Sequence, residues 1–112
     1  MHELSICQAL LSEVALSAGT RAVTRVTIEI GPLAGIDPAQ LAGTFRIFRR
    51  GSCAERAELV IESTGLLIEC LACGAQSAAR PDRLVCPSCD GFRTRIVSGR
   101  ELRLRRVEFE GN

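Results

Sequence analysis

The sequence predicts an α+β fold in which two helices pack on a small mixed β-sheet and a separate four-cysteine domain is inserted into the chain. Three observations support this fold class. Apolar residues recur at helical spacing in two segments, they alternate at strand spacing in three others, and four of the six cysteines form two close pairs. With 112 residues and 46% hydrophobic content, the chain can bury one modest core, which excludes two large domains.

The charge balance and the lack of long apolar runs narrow the function classes. Fourteen basic residues against thirteen acidic residues leave a formal net charge of +1, which does not favour nucleic acid as a partner. No stretch of the sequence approaches the roughly 18 apolar residues of a membrane span, and no signal peptide pattern opens it. We therefore expect a cytoplasmic protein with no membrane partner, whose paired cysteines bind metal or carry redox chemistry rather than form disulfides.

The first half of the chain is predicted to form two helices separated by a strand. Apolar residues from Leu4 to Ala18 follow steps of three and four, as in an amphipathic helix. Residues 26–30 alternate between apolar and polar side chains, which is typical of a half-buried strand. The segment 37–40, Asp-Pro-Ala-Gln, offers an N-cap, a proline at the first helical position and a capping-box glutamine. The second helix is expected to bury three residues: Leu41, Phe45 and Phe48.

The second half is predicted to place the cysteines between strands. Residues 57–69 read as one strand that leads straight into the first cysteine pair. The apolar positions change parity near Arg105-Arg106 in the closing strand, which a β-bulge would reconcile. The sequence therefore predicts two domains: residues 1–66, with their sheet completed by residues 97–112, and an inserted domain of residues 67–96.

Four cysteines have the spacing of a metal site. Twelve residues separate the pair Cys70 and Cys73 from the pair Cys86 and Cys89, close to the interval of a four-thiolate zinc site. The segment 67–96 contains few large apolar side chains, so metal binding must supply folding free energy, which reaches roughly 10–16 kcal/mol in zinc-finger peptides. Because four sulfurs close the coordination shell, we expect a structural Zn(II) ion in a zinc-ribbon-like domain. Iron–sulfur ligation and a redox dithiol are the alternatives.

The only histidine of the chain is residue 2, one position from the α-amino group. The α-amine of Met1, the amides of His2 and Glu3, and the His2 imidazole can close a four-nitrogen plane, a geometry that suits Ni(II) or Cu(II). Binding there releases protons, so it should weaken as pH falls through the imidazole range near 6.5. The simpler interpretation of His2 is a frayed surface residue. The motif HExxH would need histidine where Ile6 stands, and one histidine cannot supply a catalytic constellation, so we expect no enzyme.

The opening residues resemble the start of a known family. Residues 1–5, MHELS, and residues 7–11, CQALL, are similar to the first residues of the HypA/HybF family of hydrogenase-maturation nickel metallochaperones. The likeness continues through residues 25–31, the strand that starts at Ala57 and both cysteine pairs. It therefore covers essentially the whole chain.

The resemblance implies a nickel-binding α/β domain with an inserted zinc domain. It implies transport of Ni(II) to the large subunit of [NiFe] hydrogenase and cooperation with the HypB GTPase. Some members also serve urease, whose maturation proteins would then be partners, and nothing in these residues separates the two clients. Carried over by position, the expected nickel residues are Met1, His2 and Glu3, with Glu3 acting through its backbone amide, and the expected zinc ligands are Cys70, Cys73, Cys86 and Cys89. Histidines that flank the zinc cysteines in some relatives are absent here, so acid sensing should depend on His2.

Two other function classes compete with a metal carrier. A zinc-ribbon module that binds nucleic acid, or another protein, could use the arginines around the cysteines: Arg80, Arg83, Arg93 and Arg95. Asp82 and Asp90 offset these charges, and the nearest aromatic side chain for stacking on bases is Phe92. An enzyme would need a redox dithiol. The two remaining cysteines, Cys7 and Cys53, are expected to pack as small buried side chains.

Overall fold

The computed structural model of the chain describes residues 2–111, with side chains from residue 3 onward. In this range the elements are α1 (His2–Ala18), β1 (Val23–Ile30), α2 (Pro38–Phe48), β2 (Glu58–Ser63), β3 (Leu66–Cys70), β4 (Gln76–Ala79), β5 (Thr94–Ser98) and β6 (Leu102–Phe109). The strands form two three-stranded sheets, in the orders β2-β1-β6 and β4-β3-β5. The predicted α+β class is confirmed, with two small sheets in place of one. Neither of these helices is long and apolar enough to cross a membrane.

The chain divides into two compact units. The first comprises residues 1–29, 36–62 and 103–112, and the second comprises residues 30–35 and 63–102. Both helices belong to the first unit, and the sheet β4-β3-β5 and the paired cysteines belong to the second. The second unit is larger than the predicted inserted domain because it takes in additional residues on both sides of it.

The first sheet is mixed, with β1 at its centre. Val23 N donates to Cys53 O near one end of β1, and Thr64 N donates to Ile30 O at the other end, so β2 runs parallel to β1. Two hydrogen bonds place β6 antiparallel to β1: Glu110 N to Ala22 O and Gly31 N to Glu101 O. A parallel pair needs a crossover connection, and α2 supplies it between β1 and β2.

Helix α2 begins where the sequence predicts, because Asp37 caps it. The Asp37 carboxylate accepts hydrogen bonds from the amides of Ala39 and Gln40, and a proline follows the cap. Leu41 and Phe45 are fully buried as predicted. Phe48 is 44% exposed, so the prediction that it belongs to the buried face is wrong.

Helix α1 begins earlier than predicted, and its buried face is rotated. The apolar pattern predicts a helix from Leu4, whereas the helix starts at His2. Leu4 is 41% exposed, whereas the charged residue Glu3 is buried. The buried row follows steps of three and four from Glu3 onward: Glu3, Cys7, Leu10, Val14 and Ala18. A carboxylate therefore occupies the position in the first turn that the apolar pattern assigned to a leucine.

The predicted strand of residues 57–69 is interrupted. Thr64 and Gly65 separate β2 from β3, and the two strands belong to different sheets. The Thr64 hydroxyl donates to the Glu101 carboxylate at 2.7 Å, which holds the chain where it leaves β2. In β6, Arg105 and Arg106 are both exposed, so burial changes parity where the sequence predicts it. The bulge itself stays a prediction.

Ion pairs cover one face of the first sheet. Arg25 binds Glu58 at 3.0 Å on one neighbouring strand, and the Glu29 carboxylate accepts hydrogen bonds from Arg103 and Arg105 on the other. These hydrogen bonds, from Arg103 first and then Arg105, lower the pKa of Glu29. Exposed ion pairs contribute at most about 1 kcal/mol each, so their main effect is to keep this face polar.

The tightest backbone packing in the second unit gives a direct test of the fold. A Cβ on Gly31 would collide with the carbonyl oxygen of Gly99 and lie 2.8 Å from a Glu101 carboxylate oxygen, whereas a Cβ on Gly65 would meet nothing within 4 Å. We expect Gly31→Ala to lower the free energy of unfolding by ~3 kcal/mol, because backbone atoms cannot move aside as side chains do. Gly65→Ala is the control, and chemical denaturation measures both. Equal stability of the two variants would show that this packing is wrong.

Candidate metal centre

The four paired cysteines meet at one point in the second unit. Their sulfur atoms all lie within 4.8 Å of one another, and among the described side chains, those of residues 3–111, no other group of cysteine or acidic residues could hold a metal ion in this way. Two sulfur pairs, Cys70 with Cys89 and Cys73 with Cys86, are each 3.6 Å apart. A tetrahedral zinc ion with bonds of about 2.3 Å needs sulfur separations of about 3.8 Å. The thiolate cluster therefore fits zinc.

Each cysteine pair lies in a turn of the same design. In the first turn, Cys70 N donates to Ala75 O at 2.8 Å and Gly74 N donates to Cys70 O at 2.9 Å. The second turn repeats both bonds at 2.9 Å: Cys86 N to Gly91 O and Asp90 N to Cys86 O. The residue after each second cysteine has a positive φ, 79° at Gly74 and 60° at Asp90. Glycine and aspartate tolerate this conformation better than most residues do, so the local sequence favours both turns.

Backbone amides in these turns favour the thiolate form of the first cysteine in each pair. The amides of Cys73 and Ala72 lower the pKa of Cys70 to about 6, and the Cys73 amide lies 3.5 Å from the Cys70 sulfur. In the second turn the Cys89 amide, followed by smaller contributions, lowers the pKa of Cys86. These amides offset the negative charge that four thiolates would bring to a bound zinc ion.

The second cysteine of each pair has the opposite tendency. The Ala75 amide favours the Cys73 thiolate, but the neighbouring sulfurs of Cys86 and Cys70 outweigh it and raise the pKa of Cys73. At Cys89, the Gly91 amide likewise favours the thiolate, and the adjacent sulfurs raise the pKa to about 12. Four thiolates this close together repel one another, so a divalent cation is what allows all four to ionise.

Gly91 is a residue of the site that the spacing of the cysteines does not reveal. A Cβ at this position would lie 3.2 Å from the Cys89 sulfur and 3.6 Å from the Cys70 sulfur. The Gly91 carbonyl oxygen accepts the hydrogen bond from Cys86 N that closes the second cysteine turn. The structure shows that the missing side chain of Gly91 also leaves room for two of the four sulfurs.

Two of the predicted nickel residues, His2 and Glu3, begin α1 in the first unit. Met1 and the side chain of His2 are outside the part of the chain that the structure describes. Glu3 is in the first turn, where the amide of Asp37 donates to its carboxylate at 3.5 Å. Hydrogen bonds, with the Glu3 and Asp37 amides among their donors, lower the pKa of Glu3 against the effect of burial. Sequence reasoning identified Asp37 as a helix cap but not as the partner of Glu3.

The arginines near the paired cysteines and the two remaining cysteines are separate from the metal centre. Two of the arginines near the cysteines are paired with acids, Arg80 with Asp82 at 3.5 Å and Arg95 with Glu69 at 2.6 Å. Cys7 is fully buried, and burial raises the pKa of its thiol. Cys53 is half-buried. These residues do not join the thiolate cluster.

The fold and the cluster together define a class of protein: a small α+β protein with a four-thiolate metal centre in its second unit. Comparison with known sequences identifies the family. A sequence model described as "HypA: Hydrogenase/urease nickel incorporation, metallochaperone, hypA" matches residues 1–109. The chain belongs to the HypA family of nickel metallochaperones. Members of this family are maturation factors, so the chain is not an enzyme.

Individual relatives support this membership, because the alignments cover nearly the whole of each chain. The chain is similar to "Hydrogenase maturation factor HypA" of Aquifex aeolicus (strain VF5), with 38% identity covering 98% of each chain. It is 40% identical to the protein of the same name in Geobacter metallireducens (strain ATCC 53774 / DSM 7210 / GS-15), covering 98% of this chain and all of the relative. The solution structure of the Ni metallochaperone HypA from Helicobacter pylori aligns with a TM-score of 0.67 and 29% identity, covering 97% of both chains.

Removal of the metal should unfold the second unit selectively. We expect a chelator to collapse the amide resonance dispersion of β3, β4 and β5, because four thiolates without a cation repel one another and this unit has few large buried side chains. Resonances from α1, α2 and β1 should persist, since these elements share their own core. Two-dimensional NMR before and after chelation measures this, with re-addition of zinc as the control. Persistence of the β3–β5 resonances in metal-free protein would contradict the structural role of the metal.

Substitution of Gly91 should weaken the metal site without unfolding the turn. In Gly91→Ala, the added methyl group crowds the sulfurs of Cys89 and Cys70, so we expect zinc affinity to fall about tenfold, equivalent to 1.4 kcal/mol. Competition with a chromophoric chelator measures the affinity. Gly65→Ala, in the same unit but with open space around it, should bind zinc like the parent. If both variants keep the parent affinity, Gly91 has no part in the site.

Proposed function

We propose that the protein carries Ni(II) at its N-terminus and delivers it for the maturation of [NiFe] hydrogenase, while Cys70, Cys73, Cys86 and Cys89 hold a structural Zn(II) ion. One observation carries the nickel assignment: the only histidine of the chain is residue 2, at the first position of α1. Membership of the HypA family supports it, because the family description names nickel incorporation.

The start of a helix is a favourable place for amide nitrogens to bind metal. The first four amides of an α-helix have no acceptor within the helix. His2 and Glu3 begin α1, so their amides can lose protons to a metal without breaking helical hydrogen bonds. The Asp37 amide donates to the Glu3 carboxylate. We assign the backbone amide of Glu3, not its side chain, to the nickel site. Together with the α-amine of Met1 and the His2 imidazole, these amides make a planar four-nitrogen set.

The two proposed sites select different metals because their donor atoms differ. A tetrahedral thiolate cluster suits zinc and leaves no open coordination position, so the ion there stays in place. A planar nitrogen set at a chain terminus suits nickel and can be opened by protons, which compete for each donor. A carrier needs this difference, because its cargo must leave while its fold remains intact.

The recipient and the partners that we propose for the carrier are those that the resemblance to the HypA family implies. We propose the large subunit of [NiFe] hydrogenase as the recipient and the HypB GTPase as a partner in the same step. Urease maturation proteins are a second set of partners, since the family description names both hydrogenase and urease. The relatives from Aquifex and Geobacter carry names that refer to hydrogenase.

A nickel titration of untagged, zinc-loaded protein tests the proposed function. We expect one nickel per chain with a planar-type d–d absorption band, and no such band in His2→Ala, because the imidazole closes the donor plane. Glu3→Gln is the matched control, since it keeps the backbone amide and should keep one nickel per chain. A residue added before Met1 should change the spectrum by removing the α-amine from the plane.

Zinc content must be measured in the same samples. It should stay at one per chain in His2→Ala. Equal nickel binding by His2→Ala and the parent, or loss of zinc as nickel is added, would contradict the proposed separation of the two sites.

A further inference from the structure

A groove lies beside the start of α1 in the first unit. Its volume is about 560 Å³, and its walls are formed largely by apolar atoms of α1 and α2. Leu4 lines it from the first turn of α1, and Gly43, Thr44 and Ile47 line it from α2. Leu4 and Ile47 are 41% and 61% exposed, so two large apolar side chains face solvent there. The first residue that lines the groove, Glu3, directly follows His2 in the chain.

Gly43 keeps this groove open. It lies in the middle of α2, where glycine is the least favourable residue after proline. A Cβ at Gly43 would meet nothing within 4 Å, so the packing of the fold does not require glycine at this position. Its φ is not positive, so the backbone does not require glycine either. What the absent side chain provides is space in the floor of the groove.

The charge around the groove is positive on the α2 side. Helix α2 contains no acidic side chain, and Arg46 lines the groove next to Ile47. Within residues 2–111, Arg46 and the exposed Arg50 form no ion pair with an acid. Glu3 also lines the groove, but its carboxylate already accepts the Asp37 amide. An apolar slot beside unmatched arginines suits an acidic segment that carries a large apolar side chain.

We propose that this groove docks the nickel recipient, through a segment that places one large apolar side chain over Gly43 and acidic side chains against Arg46. The inference rests on the proposed function, because it assigns a binding surface to the recipient. Docking there brings the recipient next to the residues that begin α1, so the metal has a short distance to travel. Effective concentration then favours transfer over release to solvent.

Three variants test the proposal against the nickel-free precursor of the hydrogenase large subunit. Gly43→Leu fills the groove, Arg46→Glu reverses its charge, and Leu16→Ala removes an apolar side chain that is 86% exposed elsewhere on α1. Leu16 is twelve residues from Leu4, about 18 Å along the helix at about 1.5 Å per residue, so it is a matched control. Isothermal titration calorimetry of untagged, zinc- and nickel-loaded protein measures the dissociation constant.

We expect Gly43→Leu and Arg46→Glu to weaken binding of the precursor at least about tenfold, and Leu16→Ala to leave it unchanged. Arg46→Glu should also reduce the salt dependence of binding. Gly43→Ala should raise Tm by a few degrees, because alanine favours the helix, while it weakens binding. A variant that is more stable yet binds less separates a docking role from a structural one.

Other outcomes overturn the proposal. Parent-like binding by both groove variants excludes docking in the groove. If the groove variants change only self-association, measured by sedimentation equilibrium, the groove is a face for a second copy of the chain. If they change only flotation with phosphatidylglycerol vesicles, the groove is a membrane contact. If His2→Ala keeps its nickel while the groove variants lose the precursor, the nickel site fails and the docking site stands. The reverse pattern rejects the groove alone.

Discussion

Four sulfur atoms lie within 4.8 Å of one another in the second unit, and the structure of this unit depends on what holds them there. Two turns of the same design supply the sulfurs, and their backbone amides favour two of the four thiolates. The other two sulfurs resist ionisation because of their neighbours. A divalent ion such as zinc would remove this conflict, because it can bind all four sulfurs, and two sulfur pairs at 3.6 Å are close to tetrahedral separations. The small sheet β4-β3-β5 can then persist with little buried apolar surface.

The first unit is held together by the burial of apolar side chains. Its core is apolar, with Phe45 and Leu41 of α2 and Ile28 of β1 among its fully buried side chains. The exception is Glu3, a buried carboxylate that joins the start of α1 to the cap of α2. A carboxylate at that position gives up apolar contact but fixes the first turn of α1, where the proposed nickel donors lie. Under the proposed function, the two units separate a permanent metal from a transported one.

Much of the fold can be predicted from local patterns in the sequence. The N-cap at Asp37 and the two cysteine pairs were predicted because they depend on neighbours within a few residues. The break at Thr64 was not predicted, since it depends on a hydrogen bond to Glu101, 37 residues away in the chain. The rotation of α1 was missed for a similar reason: the pattern favoured Leu4, but a contact with Asp37 buries Glu3. The role of Gly91 also depends on a distant residue, because Cys70 approaches it only in the folded chain.

The central claim is that nickel and zinc occupy sites of opposite donor chemistry in one chain. X-ray absorption at both metal edges, on protein loaded with one nickel and one zinc, tests it most directly. The account predicts nitrogen and oxygen scatterers in a planar arrangement at nickel, with no sulfur, and four sulfurs at about 2.3 Å at zinc. Sulfur in the first coordination shell of nickel would contradict the account, because it would mean that the transported metal enters the thiolate cluster.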